Sequence, residues 1–175
     1  MELKILDLIQ KLHNPVLDWF MCFVTSFGNY GFFWLIVAIV LIIIPKTRRL
    51  GVIVLIGLLL NGILCDGILK NMFQRPRPCD VNTAVHMIVP RPYGWSFPSG
   101  HASASFTLAT AIYCAGKKKA GTALFVFATL IAFSRMYLYV HYPTDVLCGT
   151  LLGIFCGYAG NVCFDKICKM RKKHA

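Results

Sequence analysis

The stretch Trp95-Ser96-Phe97-Pro98-Ser99-Gly100-His101 lies where a polar loop meets an apolar run of the chain. Proline, serine and glycine at such a junction can begin a helix, which would place His101 in the first helical turn. A helix start offers unpaired backbone N–H groups and the positive end of the helix dipole, and together these bind anions. A histidine there can exchange a proton near neutral pH. Taken alone, however, residues 98–101 are more simply explained as a loop-to-helix junction with Ser99 as the capping residue.

Only 14% of the 175 residues are charged, whereas 57% are hydrophobic. A soluble domain usually carries about 25% charged residues, so this composition predicts a membrane protein. We therefore interpret the net charge of +11 first as a determinant of how the chain is oriented in the membrane. Because no basic stripe alternates with aromatic residues, we predict no nucleic-acid partner. None of the eight cysteines belongs to a Cys-x2-Cys pair and most lie in apolar runs, so neither a zinc ribbon nor a disulfide framework is predicted.

The first 27 residues differ from the rest because their apolar side chains alternate with charged and polar ones before Pro15. That pattern predicts an amphipathic helix in the membrane interface. The next run, Val16 to Phe27, is apolar but contains Asp18 and is shorter than the roughly 20 residues of a membrane span. Residues 1–27 are therefore predicted to form an interfacial or re-entrant element.

Five apolar segments are long enough to cross the bilayer, and a crossing by the N-terminal element would make six. They are Phe32 to Ile44 extended by residues 28–31, Leu50 to about Phe73, Ser99 to Ala115, Ala120 to about Val140, and Pro143 to Phe164. The chain is thus predicted to be a single membrane-embedded domain over residues 1–175. Its fold class is all-α, a bundle of five to six transmembrane helices with an amphipathic N-terminal helix, a core at 28–164 and a basic tail at 165–175.

Basic residues predict the orientation of these spans, because short loops rich in lysine and arginine stay on the cytoplasmic side. Lys46, Arg48 and Arg49, the lysines at 117–119 and the C-terminal tail all fall on one side when the spans alternate. The sequence therefore predicts a multi-pass protein of the plasma membrane with a cytoplasmic tail. The loop 74–97, His101 and His141 would then lie on the extracytoplasmic face.

Three clusters of polar residues fall at this outer end of the predicted spans. In the first cluster, six residues separate Lys70 from Arg77-Pro78, and the second cluster is Pro98-Ser99-Gly100-His101. The third is Ser134-Arg135, followed after five residues by His141 and after three more by Asp145. Because the clusters share one end of the bundle, they can form a single site.

Lys70, Arg77 and Arg135 would bring three cations to one membrane edge. The planar fork of arginine binds two phosphate oxygens at once, and charge near lipid is too costly to be retained without a role. As an alternative to binding phosphate, Lys70 could simply extend its ammonium group toward the lipid head groups. Asp66 precedes Lys70 by four residues, the spacing at which the two side chains can pair on a helix.

His141 and Asp145 are spaced so that the carboxylate can orient the imidazole. Pro143 suits the first position of a helix, which places His141 in the preceding loop and Asp145 in the first turn. One imidazole nitrogen would then be free to attack phosphorus, while His101 protonates the leaving oxygen. Two alternatives stay open. Asp145 could be an acid favoured by the helix dipole, or zinc could be bound by both histidines and Asp145, although the neighbouring cations would repel it.

Together the three clusters resemble the signature of the type-2 phosphatidic acid phosphatase superfamily, membrane lipid phosphate phosphatases related to the vanadium haloperoxidases. Each specified position of Lys-x6-Arg-Pro, Pro-Ser-Gly-His and Ser-Arg-x5-His-x3-Asp is present, in this order, between Lys70 and Asp145. The resemblance implies a site at the outer membrane edge that needs no metal and no other cofactor. The roles it implies are His141 as the nucleophile, Asp145 as its orienting group, His101 as the general acid, and Lys70, Arg77, Ser99, Gly100 and Arg135 as phosphate ligands.

From this resemblance we expect a metal-independent enzyme that removes the terminal phosphate of a lipid phosphate or diphosphate through a phosphohistidine. Undecaprenyl diphosphate is the favoured substrate, because the small size and outward site resemble bacterial enzymes that act on it and recycling of that carrier ends on the outer face. Phosphatidylglycerophosphate and phosphatidic acid are the alternatives. A function of another class, a non-enzymatic lipid-phosphate or anion binder or transporter, would use the same cations without needing the His141–Asp145 spacing.

The segment 79–97 is too short for a soluble cap domain, so the lipid substrate is expected to arrive sideways from the bilayer. Its apolar residues either line this entrance or anchor the loop at the interface, and the sequence favours neither role; they are Met87, Ile88, Val89, Tyr93, Trp95 and Phe97.

Overall fold

The computed structural model describes residues 1–28 and 32–173, and these form nine α-helices, one π-helical segment and their connections. The all-α class expected from the sequence is confirmed. The helices are α1 Glu2–Gln10, α2 Pro15–Ser26, α3 Phe32–Ile43, α4 Arg48–Asn61, α5 Lys70–Phe73, α6 Pro78–Val81, α7 Gly100–Cys114, α8 Lys118–Tyr137 and α9 Pro143–Lys173. The π-helical segment Gly62–Leu69 joins α4 to α5 without a break.

Three helical stretches within the described residues are long and apolar enough to cross a membrane. They are Arg48–Val81, Lys118–Tyr137 and Pro143–Arg171. The shorter α2 and α3 are also apolar. The expected extension of α3 over residues 28–31 falls mostly on 29–31, which lie outside the described residues.

Helices α2 and α3 together make one interrupted pass along the bundle. At its beginning, α2 lies beside the end of α8, where the Tyr137 hydroxyl donates to Asp18 at 2.5 Å. At the other end of α2, the ring centroid of Phe27 lies 5.4 Å from that of Phe127, which is near the middle of α8. Helix α3 begins at the same level, since the ring centroids of Trp34 and Phe127 are 6.3 Å apart. With α4–α5, α7, α8 and α9, the chain therefore passes along the bundle five times.

Helix α7 lies in the centre of the bundle, packed against α4, α8 and α9. All of its residues from Ala102 to Ile112 are buried. A helix surrounded by protein needs small residues for close packing more than a lipid-facing apolar surface. This position explains why α7 is rich in alanine, serine and threonine and is shorter than a lipid-exposed span.

Three glycines of α9 allow its backbone to approach α7. Gly149, Gly153 and Gly157 face the carbonyl groups of Ser99, Ser103 and Thr107, which recur every four residues along α7. A Cβ atom at Gly149 would lie 2.6 Å from the carbonyl oxygen of Ser99, and one at Gly157 would lie 2.5 Å from that of Thr107. The glycines therefore set the distance between the helices that carry the second and third clusters.

We expect Gly153→Ala to destabilise the protein, because the added methyl group would overlap the Ser103 carbonyl and force α9 away from α7. Overpacking of this kind costs about 1–3 kcal/mol, which corresponds to a fall in melting temperature of roughly 5 °C for a chain of this size. Gly67→Ala is the matched control, since its Cβ would meet nothing closer than 3.8 Å. Thermal unfolding in detergent measures both, and equal melting temperatures would contradict the packing argument.

The basic residues from which the orientation was predicted lie at the end of the bundle opposite the three clusters. Helix α4 begins at Arg48 and leads to Lys70, whereas α9 begins beside His141 and ends at Lys173. An ion pair of 3.1 Å between Arg49 and Asp165 joins the start of α4 to the last part of α9. The separation of the basic end from the site end is as the sequence predicts.

Two elements differ in length from the sequence expectation. Helix α9 continues to Lys173 instead of ending near Phe164, because no glycine or proline interrupts residues 161–173. The N-terminal element consists of two helices, and α1 packs against the site end of the bundle with Leu6 fully buried beside Tyr139 and Tyr142.

Candidate active site

A cavity of about 790 Å³ lies where α5 and α7 begin and α8 ends. Most of the residues expected to form the site line it: Lys70, Arg77, Gly100, His101, Arg135 and His141. Ser99 and Asp145 do not line the cavity but are fully buried behind its wall. The fold thus brings the three sequence clusters around one space, with two members in a supporting position.

The hydrogen bonds of His141 identify which ring nitrogen carries the lone pair. Arg77 Nη1 lies 3.2 Å from His141 Nε2, and a guanidinium can only donate. Nε2 must therefore be the acceptor, so the proton is on Nδ1, which faces Ser96 Oγ at 3.4 Å and Asp145 Oδ2 at 3.6 Å. This tautomer leaves the lone pair on Nε2, on the side of Arg77 and the cavity.

The surroundings of His141 keep its imidazole neutral. The residue lies in the connection between α8 and α9 and is 2% exposed. Burial lowers the pKa of His141 below its usual range, and the charges of Arg77 and Arg135 lower it further, against the opposing effect of Asp145. A neutral imidazole is the form that can attack phosphorus.

Asp145 is positioned by donors other than His141. Its Oδ2 accepts from Ser96 Oγ at 2.5 Å and from the backbone N–H of Tyr142 at 2.9 Å, and its Oδ1 accepts from Arg75 Nη1 at 2.6 Å. The distance of 3.6 Å from Oδ2 to His141 Nδ1 is too long for a hydrogen bond. The sequence places Asp145 in the first turn of α9, as observed, but does not indicate these partners.

Arg77 is held in an extended segment between Pro76 and Pro78, because proline disfavours a helical conformation at itself and at the residue before it. Its guanidinium donates to the carbonyl oxygens of Tyr93, Gly94, Trp95 and Val140 at 3.0–3.3 Å, in addition to its contact with His141. These bonds tie the loop before α7 to the connection before α9. Arg77 therefore fixes the wall of the cavity as well as lining it.

Arg135 is anchored by the N-terminal part of the chain. Its Nη1 donates to Thr25 Oγ1 on α2 at 2.5 Å, and the side chain is 5% exposed. Its Nε is buried and has no hydrogen-bond partner among the described residues. Because a buried guanidinium donor without an acceptor is costly, this group is suited to an anionic ligand in the cavity.

Lys70 and Gly100 meet at the start of α7. The ammonium group of Lys70 donates to Asp66 at 2.6 Å, which confirms the pairing expected from their spacing. A Cβ atom at Gly100 would lie 3.5 Å from Lys70 Nζ, so the ammonium group is next to the first residue of α7. The π-helical segment that carries Asp66 ends immediately before Lys70, and such segments often occur at functional sites.

Ser99 occupies the N-cap position of α7 but does not act as a capping side chain. Its backbone N–H donates to the carbonyl oxygen of Asp145 at 3.0 Å, while its hydroxyl makes no capping bond. That hydroxyl is buried and has no hydrogen-bond partner among the described residues. Capping is therefore not the reason for a serine at this position.

The remainder of the cavity wall is mainly apolar. Leu35 of α3 and Leu58 and Leu59 of α4 line the part that extends along the bundle away from the loop. The site thus combines a polar end with a space suited to hydrocarbon.

The loop residues between α6 and α7 divide between the two roles considered from the sequence. Tyr93 lines the cavity, Met87 and Ile88 pack against the buried cluster around Met21 and Val140, and Val89 does both. Phe97 packs against Phe73 with the two rings tilted by 57° and 4.6 Å between their centroids.

Sequence reasoning missed four residues that support the site, namely Glu2, Thr25, Arg75 and Ser96. The sequence did contain an indication of a role for Arg75, because the dipeptide Arg75-Pro76 directly precedes the identical dipeptide Arg77-Pro78 of the first cluster. Ser96 lies in the stretch from Trp95 to His101, but its sequence neighbours do not mark it as a residue that supports the site. Glu2 and Thr25 are distant in sequence from every cluster.

No group of three or more His, Cys, Asp or Glu side chains in residues 1–28 and 32–173 is placed to hold a metal ion. Asp145 is engaged by Arg75 and Ser96, and the histidines face arginines. The alternative of a zinc site on His101, His141 and Asp145 therefore has no ligand set in this part of the chain.

Residues 49–168 match the model of the family described as the PAP2 superfamily. The chain is 30% identical over 150 residues to the undecaprenyl-diphosphatase BcrC of Bacillus subtilis, covering 83% of this chain and 74% of that protein. Its fold is similar to the crystal structure of Aquifex aeolicus LpxE, with a TM-score of 0.78, 33% identity, and coverage of 91% and 93% of the two chains. It is also similar to a PAP2-type phosphatidylglycerolphosphate phosphatase from Bacillus subtilis, with a TM-score of 0.77, 25% identity, and coverage of 95% and 85%.

Proposed function

The chain belongs to the PAP2 superfamily and is a membrane phosphatase, and on this premise we propose that it hydrolyses undecaprenyl diphosphate to the monophosphate through a phosphohistidine on His141. The observation that carries the mechanism is the hydrogen bond from Arg77 to His141 Nε2 at 3.2 Å. Because a guanidinium can only donate, the imidazole lone pair is on Nε2, beside a cavity lined by Lys70 and Arg135, and it becomes free to attack when Arg77 donates to the phosphate oxygens instead.

In the proposed first step, His141 Nε2 attacks the terminal phosphorus atom. The bond from phosphorus to the bridging oxygen breaks, its electron pair stays on the lipid phosphate, and His101 gives its proton to that oxygen. Charge on the phosphoryl oxygens is stabilised by Lys70, Arg77 and Arg135 and by the start of α7 at Ser99 and Gly100. Asp145 stabilises the positive charge that develops on the imidazole.

In the second step, water attacks phosphorus on the opposite side, and the nitrogen–phosphorus bond breaks to release inorganic phosphate. His101, now without its proton, accepts one from that water, which restores the starting state. No step requires a metal ion, because side-chain and backbone donors supply the positive charge.

A diphosphate substrate is supported by an additional cation at the cavity. Arg91 lines the same space as the three cations of the motif, and its only described ion pair is a long contact of 3.9 Å with Asp80. It can therefore approach a second phosphate group. The apolar wall at Leu35, Leu58 and Leu59 suits a polyprenyl chain that arrives from the bilayer.

The proposal includes the membrane arrangement predicted from the sequence. The basic end of the bundle and the tail 165–175 would face the cytoplasm, and the cavity would open at the outer leaflet of the plasma membrane. Residues 28–164 would form the transmembrane core of a single domain. Residues 1–27 would form an interfacial and re-entrant element, with α1 at the outer interface beside the site and α2 entering the bundle.

Phosphate release in detergent with excess EDTA tests the proposed substrate. We expect undecaprenyl diphosphate to be hydrolysed with a kcat/KM at least about tenfold above that for phosphatidylglycerophosphate or phosphatidic acid, and EDTA to leave the rate unchanged. A preference for phosphatidylglycerophosphate would instead support the second candidate, which the structural likeness to the Bacillus subtilis phosphatase favours. Loss of activity with EDTA would contradict the metal-independent mechanism.

A further inference from the structure

A chain of charged groups connects Asp145 to the N-terminal helix. Arg75 donates through Nη1 to Asp145 Oδ1 at 2.6 Å and to the Thr144 hydroxyl at 2.7 Å. Its other terminal nitrogen, Nη2, donates to Glu2 Oε2 on α1 at 2.5 Å. Arg75 thus uses its two ends to bridge a carboxylate of α1 and the buried carboxylate beside His141.

Glu2 also binds the start of α9 directly. Its second oxygen, Oε1, accepts from the Thr144 backbone N–H at 3.1 Å and from the Thr144 hydroxyl at 2.7 Å. The guanidinium of Arg75 lies over the ring of Tyr142, 3.8 Å from the ring centroid. Contacts on several sides therefore restrict Arg75 to one orientation, and Glu2 accepts three of the hydrogen bonds that hold this arrangement together.

The charges in this chain have a consequence for His141. An arginine bonded to Asp145 by itself would neutralise the carboxylate and weaken its effect on the imidazole. Glu2 balances Arg75, so the group of three retains one net negative charge next to His141. Although burial opposes it, bonding to Thr144 and Arg75 lowers the pKa of Glu2 below its usual value, which keeps this carboxylate ionised.

We propose that Glu2 and Arg75 are positioning residues for catalysis, which hold the Asp145 carboxylate with Oδ2 toward His141 and preserve its negative charge. The N-terminal helix is therefore part of the catalytic arrangement through a single carboxylate. This inference rests on the proposed role of His141 as nucleophile. It predicts an effect on the chemical step and not on substrate binding, because neither residue lines the cavity.

The test replaces Glu2 by glutamine, which keeps the shape of the side chain and removes its charge. We expect Glu2→Gln to lower kcat by about tenfold while KM stays within about twofold, since bonds to charged groups contribute this much and none of them touches substrate. Rapid-quench measurement should show slower formation of the phosphoenzyme. Asp7→Asn is the matched control, because it makes the same change on α1 at a carboxylate that binds the Tyr139 hydroxyl at 2.7 Å instead.

The proposal is overturned if Glu2→Gln retains the parental kcat, or if Asp7→Asn loses as much activity, which would show that only the docking of α1 matters. A loss confined to KM or to melting temperature also overturns it. Should Glu2→Gln fold poorly, Arg75→Lys serves in its place. Lysine keeps the charge but cannot bridge both carboxylates, so the same fall in kcat supports the proposal and a parental kcat contradicts it. Full activity of His141→Ala would instead refute the proposed function itself.

Discussion

Replacing His141 by alanine is expected to lower the rate of phosphate release by at least about a thousandfold, because the substitution removes the atom that forms the covalent intermediate. The expected effect is on kcat, with substrate affinity largely retained. Lys70 and Arg135 line the cavity independently of His141 and would still bind the phosphate group. The measurement is steady-state release of inorganic phosphate from the diphosphate lipid.

His86→Ala is the control for this substitution. His86 lies exposed in the loop between α6 and α7 and does not line the site cavity. We expect that variant to keep the parental rate. A His141→Ala enzyme with even a tenth of the parental activity would mean that water attacks phosphorus directly.

The second large effect is expected for His101→Asn, and its size should depend on the leaving group. Asparagine can hydrogen-bond to the leaving oxygen but cannot give it a proton. Loss of a general acid typically costs about a hundredfold to ten-thousandfold. For the first step, measured as the initial release of the leaving group before steady-state turnover, we expect the upper part of this range for an alkyl phosphate, whose leaving oxygen is strongly basic, and a loss of about tenfold or less for an aryl phosphate with an acidic phenol.

Comparison of alkyl and aryl substrates separates proton transfer from phosphate binding. A diphosphate lipid should fall between them, because its leaving group is a phosphate of moderate acidity. Equal losses for all three substrates would assign His101 to binding of the phosphoryl group instead. The same comparison on Arg135→Lys provides the reference, since a phosphate ligand should weaken all three reactions alike.

The local parts of the site could be predicted because they depend on short-range chemistry. Pro76 and Pro78 end the long helix, and the structure has Arg77 in extended backbone before α6. Pro143 begins α9, which places His141 before the helix and Asp145 within its first turn. The distribution of basic residues likewise predicted which helix ends lie together, because each apolar run reverses the direction of the chain.

The supporting partners could not be predicted, because they join residues that only the tertiary fold brings together. Thr25 and Arg135 are 110 positions apart, and Glu2 and Thr144 are 142 apart. Apolar periodicity describes one helix at a time and contains no information about which polar side chain meets another. The π-helical segment Gly62–Leu69 was also missed, since its composition is the same as that of an apolar α-helix.

The interruption between α2 and α3 was predicted only in part. The short apolar run and Asp18 indicated that residues 16–27 do not cross the membrane by themselves. The structure adds the reason for that arrangement. Helix α2 ends at the level of the site, where Thr25 holds Arg135 and Gly28 faces the ring of His101.

The most direct test of the account is capture of the phosphoenzyme. The enzyme would be mixed with a diphosphate lipid labelled in its terminal phosphate and quenched with base, which preserves phosphohistidine, and the label would then be assigned by peptide mass spectrometry. The account predicts acid-labile, base-stable label on His141 in the parent and in His86→Ala, and none in His141→Ala. Label on another residue, or full turnover by His141→Ala without labelled protein, would contradict it.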